Sequence, residues 1–204
     1  MLIKIHPDNP DPRRIHGIVE ILKNGGVIIY PTDTVYALGC SIYKPKAIER
    51  IAQIKHLDIN KAHFSFVCRD LSHLSDFTKP LNNSIFKLIK KNTPGPFTFI
   101  LEANNEVPKQ FRKNKKTVGL RVTSNKIAQE IVRQLGHPII STSLITGDDI
   151  IEYPTDPELI HEDYKKIVDA GIDGGPGGIT PSTIVDLTGD EIEIIREGKG
   201  ELLY

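Results

Sequence analysis

Strand-like and helix-like apolar patterns alternate along most of this chain, but the series closes on two strand-like runs in succession, Thr183 to Leu187 and Ile192 to Arg196. Steady alternation builds a doubly wound parallel sheet, and a terminal pair of strands breaks that rhythm. The pattern predicts an α/β fold: a mixed sheet with helices on its faces. Residues 1–204 are expected to form a single domain, because no internal repeat or long linker divides them.

Met1 to Ile5 alternates as a first strand. Asp11-Pro12 supplies a helix cap followed by proline at the first helical position, and Ile15, Ile18, Val19 and Leu22 recur at helical spacing until Gly25-Gly26. Val27 to Tyr30 is a strand that ends in the loop Pro31-Thr32-Asp33-Thr34-Val35-Tyr36. Proline cannot continue a central ladder, and Thr32, Asp33, Thr34 and Tyr36 crowd donors and acceptors behind it. Such a loop either reads a polar ligand or closes the strand with Asp33 and the threonines bonding their own backbone.

A second helix from Pro45, with Ile48, Ile51 and Ala52 on one stripe, puts Lys55 near its C-terminal end. Further on, the pattern predicts a strand over Phe64 to Cys68, a helix over Asn83 to Lys91, and a stiff break at Thr93-Pro94-Gly95-Pro96. Strands Phe97 to Leu101 and Val118 to Val122 follow, the second carrying Arg121. Ser124 caps a helix with the stripe Ile127, Ala128, Ile131 and Leu135, and Ile139-Ile140 deliver Ser141-Thr142-Ser143 at a strand end. Thr155 and Glu158 resemble a capping box for a helix running towards Lys166, and Asp173 to Gly178 reads as a loop.

Composition narrows the chemistry. At 204 residues with 39% hydrophobic and 25% charged content, the chain can bury a core without cross-links. No apolar run reaches membrane-span length and the start lacks a signal-peptide stretch, so a cytoplasmic protein is expected. Cys40 and Cys68 fit neither a disulfide framework nor a Cys-x-x-Cys site, and the histidines are scattered, so no protein-held metal is expected. Lys+Arg of 26 balances Asp+Glu of 26, which removes any global attraction to nucleic acid. The stretch from Asn105 to Lys126 is nonetheless locally basic; it reads as a solvated loop before a strand or as a polyphosphate or RNA contact surface.

The standard phosphate loops are absent: there is no Gly-x-x-x-x-Gly-Lys-Ser/Thr, and no Gly-x-Gly-x-x-Gly opens a helix. A bound nucleotide would have to be held largely by side chains. Lys55, Lys61, Arg121 and Arg196 are candidate cations, and Ser141, Thr142, Ser143, Ser182 and Thr183 are candidate neutral donors. An ordinary solvated lysine is the competing reading for Lys55 and Lys61. For the two arginines, set in apolar strand patterns, it is a buried ion pair. No Gly-x-Ser-x-Gly elbow supports a serine nucleophile.

Taken in order, the segments resemble the YrdC/YciO family of threonylcarbamoyl-AMP synthases. Pro31 to Gly39 is close to the family's P-T-[DE]-T-x-Y-G-L-G, Thr93 to Thr98 to its W-P-G-P-L-T, and Gly119-Leu120-Arg121-Val122 to its G-x-R-x-P. Pro181 to Asp186 is similar to P-S-T-[IV]-[IV]-D, and Ile195-Arg196-Glu197-Gly198 to the closing [IL]-R-x-G. The resemblance implies a three-layer fold, its twisted mixed sheet wrapped around a concave cationic cavity for ATP, as the Mg2+ complex, with L-threonine and bicarbonate as co-substrates. It places Thr32, Thr34, Tyr36 and Ser182 on the substrate, and Lys55, Lys61, Arg121, Ser141, Ser143 and Arg196 on the nucleotide. Lys55, Arg121 and Ser141 would take part in catalysis. The product would serve tRNA modification.

Two positions depart from that pattern. Where active members carry K-x-R and S-x-N, this chain has Lys55-His56-Leu57 and Ser141-Thr142-Ser143, and the segments Lys61 to Asp70 and Ser141 to Leu144 look more like the YciO branch. Two alternatives to a synthase therefore stand: a module binding tRNA or double-stranded RNA, and a nucleotide-binding paralogue with weak or no synthase step.

Overall fold

The computed structural model describes residues 1–58, 64–112, 116–144 and 154–204. The first half of the chain runs β1 (Leu2–Lys4), α1 (Pro12–Lys23), β2 (Ile28–Tyr30), β3 (Ala37–Gly39), α2 (Pro45–Ile54), β4 (Ser65–Val67), α3 (Leu71–Ser75) and α4 (Asn83–Lys91). The second half runs β5 (Phe97–Glu102), α5 (Lys109–Arg112), β6 (Thr117–Arg121), α6 (Lys126–Leu135), β7 (Ile139–Ser143), α7 (Pro157–Tyr164), β8 (Ala170–Asp173), β9 (Thr183–Asp186) and β10 (Glu193–Arg196).

Among the described residues the strands join in one 10-stranded mixed sheet, in the order β1-β8-β2-β3-β7-β4-β6-β5-β9-β10. Antiparallel hairpins such as β2–β3 and β9–β10 sit beside parallel pairs such as β4–β6 and β5–β9. Two apolar clusters lie on opposite faces, because successive strand residues point to opposite sides. Ile28, Ala37, Val67 and Ile139 join the stripes of α1 and α6, while their neighbours Ile29, Leu38, Phe66 and Ile140 join those of α2 and α4. Helices therefore cover both faces, which is the three-layer arrangement expected.

Several local expectations need correction. The loop after β2 folds back as β3, a strand that Ala-Leu-Gly does not announce by propensity and that pairs with both β2 and β7. The cap of α6 is Asn125, whose side chain accepts from Ala128 N at 3.0 Å, and not Ser124. Ser124 N instead donates to the Asp33 carboxylate at 2.9 Å. Likewise Asp156, not Thr155, caps α7, accepting from Glu158 N, and α7 ends at Tyr164. The Thr155 carbonyl holds Gly177 N at 2.8 Å instead. The basic stretch contains a helical turn, α5, before β6.

Among the described residues no helix is long and apolar enough to cross a membrane. Cys40 and Cys68 are both buried free thiols, pushed well above the usual thiol range by burial.

Ile131 of α6 has no exposed surface and packs in the cluster shared with α1. Ile131→Ala is expected to cost about 2–5 kcal/mol of unfolding free energy in urea titrations. A loss under about 1 kcal/mol would show that α6 does not carry that face.

Candidate functional site

The alternation that feeds the core also builds a hollow. On β5, β6 and β9, Phe97, Phe99, Leu101, Leu120 and Val185 enter the apolar cluster, while Thr98, Ile100, Gly119, Arg121, Ser182, Ile184 and Asp186 line a cavity of about 370 Å³. Ser65 of β4 and Ser141, Thr142 and Ser143 of β7 extend the same wall. Gly119 keeps its centre open, since a Cβ there would meet the Thr98 Cγ2 at 3.3 Å and the Ser65 Cβ at 3.5 Å.

One edge is made by the loop between β2 and β3. Thr32 Oγ1 accepts from Thr34 N at 3.1 Å and donates to Val35 O at 2.7 Å, a hydroxyl turn that fixes the loop. With that proton committed, Thr34 Oγ1 donates to Thr32 Oγ1 at 2.9 Å and accepts from Arg121 Nη2 at 3.2 Å. The guanidinium thus heads a chain of hydrogen bonds into the loop, each polarising the next. The same Nη2 pairs with Asp33 Oδ1 at 2.9 Å, both side chains only 7% and 6% exposed. Arg121 forms a buried ion pair and also lines the cavity. Its Nε is buried without a hydrogen-bond partner.

On the opposite edge, Ser182 Oγ lies 2.9 Å from Thr98 Oγ1, and Arg196 donates through Nη2 to the Ser182 carbonyl at 2.8 Å and to its Oγ at 3.3 Å. At the β7 end, Lys55 Nζ donates to Ser143 O at 2.8 Å. Burial lowers the Lys55 ammonium to about 8, because a desolvated charge gives up its proton more easily.

Of the residues singled out from sequence, Thr34, Arg121, Ser141, Ser143, Ser182 and Arg196 converge on this one cavity. Thr32, Tyr36 and Lys55 are not part of the lining but adjoin it, Thr32 through its bond to Thr34 and Lys55 through its bond to Ser143. Tyr36 is buried, its hydroxyl donating to Gly175 O at 2.7 Å and accepting from Gly174 N at 3.2 Å, so it braces the glycine-rich loop before β9. Burial pushes that hydroxyl up to about 12. Lys61 lies outside the described residues. The structure adds Ser65, Thr98 and Gly119, and from the basic stretch Gln110 and Phe111. Thr98 was recognisable as the polar residue between two buried phenylalanines on one strand. Among the described residues no group of three or more His, Cys, Asp or Glu side chains is placed to hold a metal ion.

The Sua5/YciO/YrdC family model, described as telomere recombination, matches residues 20–198. The chain belongs to this family. It is 48% identical over 200 residues to the uncharacterised protein YciO of Escherichia coli, covering 97% of this chain and 95% of that one. The crystal structure of E. coli YciO superposes with a TM-score of 0.91 at 46% identity, covering 98% and 97% of the two chains. A threonylcarbamoyl-AMP synthase of Nitrosococcus oceani is 38% identical over 130 residues, 64% of this chain and 70% of the synthase. The fold also matches Sua5 of P. abyssi, solved in complex with L-threonine, with a TM-score of 0.87 at 24% identity over 97% of this chain and 57% of that longer one.

Removing one member of the buried Arg121–Asp33 pair strands the other. Arg121→Met is expected to cost about 3–5 kcal/mol of stability, and adding Asp33→Asn should recover most of it. A double-mutant cycle in urea checks this, and losses that simply add would show that the pair is not coupled.

Proposed function

We propose that this protein binds ATP in the cavity and condenses it with L-threonine and bicarbonate to threonylcarbamoyl-AMP and pyrophosphate. The observation that carries the reading is the convergence of Thr34, Arg121, Ser141, Ser182 and Arg196, from widely separated segments, on one hollow. Family membership and the 38% identity to a named synthase support it. The volume of about 370 Å³ falls in the range of small-molecule sites.

In this reaction the threonine amine adds to the bicarbonate carbon and water leaves, giving a carbamate. A carbamate oxygen then attacks the α-phosphorus of ATP, and the bond to the bridging oxygen breaks as pyrophosphate departs. Two anions must approach each other, so the site has to offset charge and fix geometry. Arg121, Arg196 and Lys55 would oppose the phosphates, and Ser141 and Ser143 would orient them. Thr34, positioned by Thr32, would hold the amino acid together with Ser182. Magnesium would arrive on the triphosphate and screen it.

Leu57, 37% exposed, and Ser143 stand where the family pattern has arginine and asparagine. Losing one preorganised donor at a developing charge costs about 2–4 kcal/mol. That favours, as a second reading, a protein that binds the nucleotide and turns it over slowly or not at all. Threonine-dependent pyrophosphate release from ATP, magnesium and bicarbonate supports the synthase. A rise in melting temperature with ATP but no release supports the binder. A duplex-RNA shift that collapses steeply with salt, with neither of those, would support an RNA-binding module instead.

Gly119→Val puts a branched side chain into the hollow, against Thr98 Cγ2 and Ser65 Cβ. ATP affinity by calorimetry should fall at least about tenfold in protein that a urea titration shows to be folded at the assay temperature. Unchanged affinity would move the nucleotide elsewhere.

The Lys55 ammonium provides a pH signature. It is charged below about 8, and bound phosphate favours the charged form, so affinity should be highest below pH 8 and decline as pH rises through that value. Calorimetric titrations from pH 6.5 to 9.5 should show the decline in the wild type and a flatter profile in Lys55→Met. Parallel profiles would remove Lys55 from the phosphate contacts.

A further inference from the structure

From the end of β10 the chain runs as a strap, residues 196–200, along the Pro181–Thr183 segment, whose Pro181 and Ser182 line the cavity. Lys199 N donates to Pro181 O at 2.8 Å. Gly198 N and Gly200 N both donate to Thr183 Oγ1, at 3.1 Å and 3.0 Å. At Gly198 a Cβ would lie 2.4 Å from the Pro181 carbonyl, so only glycine lets the strap lie flush on the Pro181–Thr183 segment. The side chain of Lys199, pinned at its root, reaches the loop on the other edge and donates from Nζ to Asp33 O at 2.6 Å. It is exposed, and it joins the edge that carries Ser182 to the edge that carries Thr34.

We propose that Lys199 is an anion-binding residue at the mouth of the cavity, held over the opening by the strap and able to exchange the Asp33 carbonyl for a phosphate oxygen. The inference rests on reading the cavity as a nucleotide site. A neutral carbonyl is a weaker partner for an ammonium than a phosphate oxygen, because the phosphate brings an opposite charge to the bond as well as a lone pair. The carboxylate of the same residue, Asp33, is committed to Arg121 and Ser124, so Lys199 meets only the backbone oxygen of that loop. Position 57 carries leucine where the family pattern has a cation. Lys199 supplies positive charge to the same cavity from the opposite end of the chain. Neither family motif near it, the serine-threonine segment nor the closing arginine-glycine pair, includes this lysine.

The experiment compares wild type with Lys199→Ala and Lys199→Arg, titrating each with Mg-ATP and with AMP over a range of NaCl concentrations. Lys199→Ala should weaken ATP about tenfold, the size of one charge-assisted contact, leave AMP within about twofold, and flatten the salt dependence of ATP binding. Lys199→Arg should restore ATP affinity to within about threefold, because the charge remains. Equal weakening of ATP and AMP in Lys199→Ala, or a matching fall in melting temperature, would reduce Lys199 to a strap latch and overturn the proposal. ATP binding that is indistinguishable from wild type would overturn it as well, leaving the nucleotide reading intact. A wild type that binds neither nucleotide would overturn the nucleotide reading, and this inference with it.

Discussion

The buried pair between Arg121 and Asp33 is the contact on which the site depends. It ties the end of β6 to the loop between β2 and β3, two segments separated by 88 positions. Through the second carboxylate oxygen it also takes hold of Ser124 at the start of α6. Such a pair costs desolvation, which is offset only when the remaining donors and acceptors are satisfied. Here the hydroxyls of Thr34 and Thr32 continue the chain of donors until it ends on a backbone carbonyl, while Arg121 Nε stays buried without a partner. The loop is therefore held in one shape before any ligand arrives, which is the preorganisation that charge-stabilising sites require.

The cavity owes its existence to strand alternation combined with selective covering. One face of the sheet is apolar where α1 and α6 lie on it. Along β9, β5 and β6 the residues that alternate with the core phenylalanines and leucines are hydroxyls, a glycine and an arginine. A sheet face of that composition gains little by being covered with an apolar helix, and it leaves a hollow that water or a polar ligand can fill. Fold and site are two readings of one period-2 pattern, which explains why motifs far apart in sequence meet.

Much of this could be read before folding. The helix over Asn83–Lys91 and the strands around Arg121 and Ser141 appear where their periodicity puts them, because each has a clear apolar stripe or run. What could not be read depended on partners supplied by the fold. β3 exists because β2 and β7 flank it. Ser124 could cap a helix but serves Asp33, and the backbone of Thr155 serves Gly177, so Asn125 and Asp156 take the caps instead. Tyr36 reads as a ligand-facing hydroxyl in its motif, yet its ring is buried and its oxygen braces Gly174 and Gly175. In each case a side chain with more than one suitable partner was assigned by tertiary geometry rather than by local spacing.

The central claim is that the β2–β3 loop, β6, the Pro181–Thr183 segment and the strap of residues 196–200 act as the walls of one nucleotide site. Amide hydrogen exchange with and without Mg-ATP tests it directly, since a ligand bridging these walls must slow exchange in all of them together. Joint protection of residues 32–36, 119–122, 182–184 and 196–200 is the predicted result. Protection of none of them, or of only one while the others exchange as in the unliganded protein, would contradict the account.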